Sequence, residues 1–149
     1  MYQWDVQHIA DTKELAERLA SYVGPGDVIT LEGDLGAGKT TFVQFFAKAL
    51  GIEDVVNSPT FTIMKQYEGN YPLYHLDAYR LEGSDEDLGW DEIFNDEAVV
   101  VVEWAQFIEH ALPEERLSIH ISYRGETARH ITMKPIGTYY DRMCQELKR

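Results

Sequence analysis

One run of nine residues restricts this chain more than any other. Gly33-Asp34-Leu35-Gly36-Ala37-Gly38-Lys39-Thr40-Thr41 sets a glycine, four residues and then Gly-Lys-Thr in succession, the spacing of a phosphate-binding loop. Gly33, Gly36 and Gly38 let the backbone turn tightly and bring its N–H groups onto phosphate oxygens. Lys39 supplies a point charge for the β- and γ-phosphates, and Thr40 offers a hydroxyl to a magnesium ion. Such a loop must join a buried strand to the start of a helix, whose positive end faces the same anion. Both flanks are present. Asp27-Val28-Ile29-Thr30-Leu31 is a β-branched apolar run after the turn Gly24-Pro25-Gly26, and Thr41 to Leu50 repeats apolar residues at helical spacing before Gly51.

The rest of the chain divides into similar units. Asp11-Thr12 with Glu14 resembles a helix cap, followed by Leu15, Ala16, Leu19, Ala20 and Val23 at helical spacing. Phe61 to Tyr67 and Tyr71 to Asp77 read as strands with Gly69-Asn70 as the hairpin turn. Glu82 to Glu97 carries eight carboxylates and no lysine or arginine, with Leu88, Trp90, Ile93 and Phe94 interspersed. That pattern predicts one or two short helices with an acidic face. Ala98 to Val102 is continuously apolar, as in a strand covered on both faces. Leu117 to Tyr123 and Ala128 to Met133 form a second predicted hairpin around Arg124-Gly125, and Tyr139 to Lys148 a final helix. These elements predict a single domain over 1–149. Its class is α/β: a three-layer phosphate-loop NTPase-like fold with a mixed, mainly parallel sheet flanked by helices.

Composition narrows the partners. The chain has 26 acidic and 13 basic residues, a net charge of −13, and so lacks the electropositive surface that binds a phosphate backbone unaided. Any contact with a nucleic acid is expected to be indirect, through a protein partner, and DNA is not expected. No apolar stretch approaches the roughly 20 residues of a membrane helix. The first residues carry no basic region or apolar signal core, and Cys144 is a lone cysteine. A cytoplasmic location is therefore expected.

A phosphate loop needs an acid for magnesium at the end of a neighbouring buried strand. Glu103 follows the Val99–Val102 run and is expected to emerge where ligands bind; Asp77 ends Leu73-Tyr74-His75-Leu76. Glu103 is the better metal acid on position. Asp77 is left to deprotonate or orient the attacking water, or to hold the metal through water. The competing reading of each is a strand-capping or salt-bridged acid. Thr60, 21 residues after Lys39, has the position of a switch threonine sensing the γ-phosphate, with Ser58 and Thr62 as substitutes. The competing reading is a local turn. Trp104 packs near the nucleotide or in the core. Arg80 is read as an ion-pair residue before a transition-state cation, and His75 as a core or orienting histidine. The histidines show no paired ligand spacing for zinc.

Taken together, Gly33–Thr41, Ser58-Pro59-Thr60-Phe61, His75-Leu76-Asp77-Ala78-Tyr79-Arg80-Leu81 and Glu103-Trp104 resemble, in order and spacing, the bacterial TsaE proteins. The likeness runs from about Thr12 to Trp104 and more loosely to the C-terminus. It implies a weak ATPase required for threonylcarbamoyladenosine, the modification beside the anticodon of tRNAs that read codons beginning with A. Such proteins act with TsaB and TsaD, and ATP hydrolysis resets the complex between turnovers. Carried over by motif, the loop residues Asp34, Leu35, Gly36, Ala37, Gly38, Lys39, Thr40 and Thr41 hold ATP, with Trp104 beside it. Thr40 and Glu103 hold Mg2+, Asp77 and Lys39 assist hydrolysis, and Thr60 is the switch. Three rivals remain. A small-molecule kinase would need an arginine-bearing lid, which Glu82 to Glu97 lacks. A GTP switch would need an Asn-Lys-x-Asp guanine reader, which is absent. The third is a nucleotide-dependent binding switch that barely hydrolyses.

Overall fold

The computed structural model describes residues 1–34, 37–57, 63–84 and 87–149. Seven strands form one sheet: β1 (Tyr2–Val6), β2 (Val28–Gly33), β3 (Met64–Glu68), β4 (Pro72–Asp77), β5 (Val99–Glu103), β6 (Arg116–Tyr123) and β7 (Arg129–Ile136). Their spatial order is β1-β7-β6-β2-β5-β4-β3. Only β3 and β7 oppose the others; β1, β6, β2, β5 and β4 run in one direction. The mixed, mainly parallel sheet expected from the sequence is therefore present.

Helices α1 (Ile9–Ala20), α2 (Lys39–Ala49) and α4 (Thr138–Lys148) contribute Leu15, Phe42, Phe46 and Leu147 to one core with Ile29, Leu31, Leu73, Val99 and Val101. The opposite face carries a smaller core. There α3 (Trp90–Asn95) and two 3-10 segments, Tyr79–Leu81 and Ala105–Ala111, pack Trp90, Leu81 and Ile108 on Val28, Val100 and Val102. All five residues of β5 are buried, so the Val99–Val102 run satisfies both layers at once. Each buried valine contributes about 1.5–3 kcal/mol of apolar burial. On β6, buried Leu117, Ile119 and Ile121 alternate with more accessible residues. That half of the sheet is thus covered mainly on one side.

Several boundaries differ from those read in the sequence. The first helix is capped at His8, whose N–H donates to Asp11 Oδ2 at 3.1 Å; Asp11 is three residues inside the cap and is not the cap itself. Strand β1 was not expected, although Tyr2-Gln3-Trp4-Asp5-Val6 alternates apolar and polar residues as a half-buried strand should. It pairs with β7, so the β6–β7 hairpin is not the edge of the sheet. The β3–β4 hairpin forms as predicted, with Met64 the first paired residue.

Candidate functional site

The site is built where the parallel strands end and α2 begins. Two glycines are required there by geometry. A Cβ on Gly33 would stand 2.5 Å from the Ile121 carbonyl oxygen, so only glycine lets β2 run this close to β6. Gly38 caps α2 at φ +101°, in the left-handed region that glycine enters without strain. The loop is tied at its base by the Ala37 N–H donating to the Asp34 carbonyl at 2.9 Å. Leu35 and Gly36 lie outside the described residues. Lys39, Thr40 and Thr41 form the first turn of α2, where N–H groups lack helical acceptors and face any bound anion.

Glu103 ends β5, beside the loop strand β2. It is buried at 3% exposure and does not emerge from the sheet as its position in the sequence had suggested. Neighbouring β4 explains why. In the parallel register Asp77 lies opposite Glu103 and His75 opposite Val101. His75, Asp77 and Glu103 therefore share the sheet face of Leu73, Val99 and Val101, the face that packs on Phe42 and Phe46 of α2. His75 is fully buried, and its Nε2 lies 2.7 Å from Glu103 Oε2. His75 is thus a core histidine, within the core-or-orienting reading of the sequence, and its polar neighbour is Glu103. Asp77 is half-buried at the end of β4, its Oδ1 accepting the Tyr79 N–H at 3.0 Å in a turn.

Trp104 follows Glu103 with φ +58°, the one non-glycine residue in the left-handed region among those described. Holding a tryptophan there costs about 1–3 kcal/mol, which surrounding contacts must offset. The ring stacks on Phe107 at a centroid distance of 6.0 Å and meets Tyr79 edge-on at 5.1 Å. Its face carries the Lys39 ammonium 4.7 Å from the centroid. The lysine of the loop and the residue after the acid, 65 positions apart, thus meet across the site. Thr60, Ser58 and Thr62 lie outside the described residues.

One residue that touches the loop escaped the sequence reading. Arg129, on β7, donates from Nε to the Ala37 carbonyl at 2.8 Å, and its guanidinium stacks on Tyr123 at 4.9 Å. It borders a small, open, mainly apolar cleft with Ile9, Thr12, Gly38, Thr41 and Ile121. The cleft lies on the β6 side of the loop and Glu103 on the β5 side. Ala37 and Arg129 are 92 positions apart in sequence, and the strand order β7-β6-β2 brings them together.

Residues 6–131 match the family described as "Threonylcarbamoyl adenosine biosynthesis protein TsaE". The chain belongs to the TsaE family. A Bacillus subtilis (strain 168) relative named tRNA threonylcarbamoyladenosine biosynthesis protein TsaE is 52% identical over 148 residues, covering 99% of this chain and 94% of that one. A Streptomyces coelicolor TsaE protein is 41% identical over 135 residues, covering 84% and 90%. In three dimensions the chain is similar to the crystal structure of Bacillus subtilis YdiB, with a TM-score of 0.83 and 45% identity over 99% of this chain and 94% of that one. Among the described residues no helix is long and apolar enough to cross a membrane.

The donor set fits the magnesium ion that the TsaE resemblance implies. Thr40 and Glu103 supply hard oxygen donors, and magnesium is commonly held by one or two carboxylates together with substrate phosphates. No group of three or more His, Cys, Asp or Glu that could hold a metal by itself occurs among the described residues.

Proposed function

We propose that this TsaE-family chain is a slow ATPase that serves threonylcarbamoyladenosine modification of tRNA in the cytoplasm, acting with TsaB and TsaD to reset their complex between turnovers. The observation that carries the proposal is the convergence on one sheet end of Lys39, at the start of α2, with Glu103, at the end of the adjoining strand β5. The pathway comes from the family: the curated relatives are named for that biosynthesis.

In this reading Lys39 and the loop N–H groups bind the β- and γ-phosphates. The mainly apolar cleft beside Arg129, bordering Gly38 and Thr41 of the loop and helix start, receives the base. Thr40 and Glu103 hold Mg2+, which when bound neutralises charge developing on the transferred phosphoryl group. Asp77, opposite Glu103, orients the attacking water or accepts its proton. Lys39 leaves the Trp104 face for the phosphates as nucleotide enters, and Trp104 remains as the wall of the site. Thr60 is the switch that reads the γ-phosphate. With a net charge of −13 the chain reaches tRNA through its partners.

Phosphate release from ATP tests the proposal directly. The chain alone is expected to release phosphate slowly, and the rate is expected to rise when a TsaB–TsaD complex is added. No release under either condition, or a phosphorylated small molecule formed in step with ATP loss, would overturn it.

A further inference from the structure

The phosphate loop does not by itself require the His75–Glu103 pair, and the pair is an unfavourable thing to bury. His75 has no exposure and Glu103 has 3%. Their neighbours on the same sheet face, Leu73, Val99 and Val101, are apolar. A buried ionic pair rarely stabilises more than apolar side chains of the same volume would. Here there is a second penalty: His75 Nδ1 is buried without a hydrogen-bond partner among the described residues, an omission that costs about 1–3 kcal/mol. Leucine at both positions would continue the core without either cost. The pair is better explained by what it does to the carboxylate. A glutamate has three rotatable side-chain bonds, and this one ends the strand beside the phosphate loop. Contact with a ring nitrogen at 2.7 Å, from a fully buried side chain on a rigid neighbouring strand, fixes its direction.

We propose that His75 is the positioning residue of the metal site. Its Nε2–H donates to Glu103 Oε2, commits that oxygen to the imidazole, and presents the carboxylate to magnesium through the other oxygen. Asp77, Thr40 and Lys39 are outside this contact, so nucleotide binding without metal does not depend on it. The role deepens the proposed ATPase reading and rests on it.

Two measurements on the full chain separate the inference from that reading. Binding of a fluorescent ADP analogue in EDTA reads the nucleotide without metal, and electron paramagnetic resonance of Mn2+ added to the ADP-bound chain reads the metal without turnover. H75L is expected to bind Mn2+ about 10- to 100-fold more weakly, the usual effect of removing a partner of a metal-binding side chain. Its affinity for the analogue in EDTA should equal that of the unaltered chain. H75Q, which keeps an N–H donor at similar reach, should recover most of the loss. H75L strands a buried carboxylate and can fail to fold, so H75L/E103Q, which has none, is measured beside E103Q and should bind Mn2+ equally. Unchanged Mn2+ affinity in H75L, no recovery in H75Q, or a further loss when H75L is added to E103Q would each overturn the positioning role. An unaltered chain that binds no analogue in EDTA would overturn the nucleotide reading itself.

Discussion

Two buried carboxylates stand at opposite ends of the sheet and are treated differently. Asp27, just before β2, is 5% exposed. Its Oδ2 accepts the Gly24 N–H at 2.8 Å and the Tyr139 hydroxyl at 2.9 Å, and the next residue, Val28, donates its N–H to the Tyr140 hydroxyl at 2.9 Å. This end ties α4 to the sheet with satisfied hydrogen bonds. Glu103, at the other end, has a histidine with an orphaned nitrogen on one side and a tryptophan in a left-handed conformation on the other. Polar burial at the Asp27 end holds the fold together. At the Glu103 end, in the role proposed for it, polar burial holds a carboxylate ready for a ligand at a cost in stability.

The largest break in that comparison comes from the ligand end. K39A removes a charge-assisted contact and is expected to weaken nucleotide binding by about 100-fold, roughly 2.7 kcal/mol, in a titration with a fluorescent ATP analogue. The melting temperature should change little, because the ammonium rests on a partly exposed ring. Next come two near-isosteric changes compared directly. E103Q is expected to reduce ATP hydrolysis at least about tenfold, since a neutral amide holds magnesium poorly. D27N, which keeps an oxygen acceptor for Gly24 and Tyr139, should leave the hydrolysis rate unchanged. Equal effects of the two on turnover would erase the distinction between the ends.

A smaller effect is expected in stability. Y139F removes one donor to Asp27 and should cost about 1 kcal/mol in chemical denaturation, with nucleotide affinity unaltered. The pH dependence of Asp27 sharpens the same point. Burial is the main cause raising its pKa above the ordinary 3.8, opposed by the Gly24 and Tyr139 hydrogen bonds. The folded chain thus keeps that proton to higher pH than the unfolded chain does. Asp27's contribution to stability falls as pH rises from its unfolded value through its raised folded value, and is constant beyond. The stability of D27N relative to the unaltered chain should therefore increase across that window. The smallest effect concerns Cys144, fully buried in α4, whose thiol is pushed up to about 11 by burial. It should resist alkylation at pH 8 until the chain is denatured.

What could be read in the sequence was local. The strand–loop–helix unit at Gly33–Thr41, the both-faces-covered strand Val99–Val102 and both hairpins each announce themselves within a short stretch of contiguous chain. The position of Glu103 at a strand end was legible for the same reason. Its burial was not: that depends on the register of β4 against β5, which brings His75 within reach from 28 residues away. Arg129 reaches Ala37 because no strand but β6 lies between β7 and β2. Strand β1 was readable in principle. Its alternation of Tyr2, Trp4 and Val6 with Gln3 and Asp5 spans only five residues, a short signal at a chain terminus.

The central claim is that hydrolysis at the Glu103 end resets another protein's active site. The most direct test is a reconstituted modification reaction containing tRNA, threonine, bicarbonate, ATP and the TsaB–TsaD machinery, run with this chain, without it, and with K39A in its place. Modified nucleoside should accumulate through many turnovers only with the unaltered chain, and stall near one turnover in the other two reactions. Undiminished multiple turnovers without the chain would contradict the account.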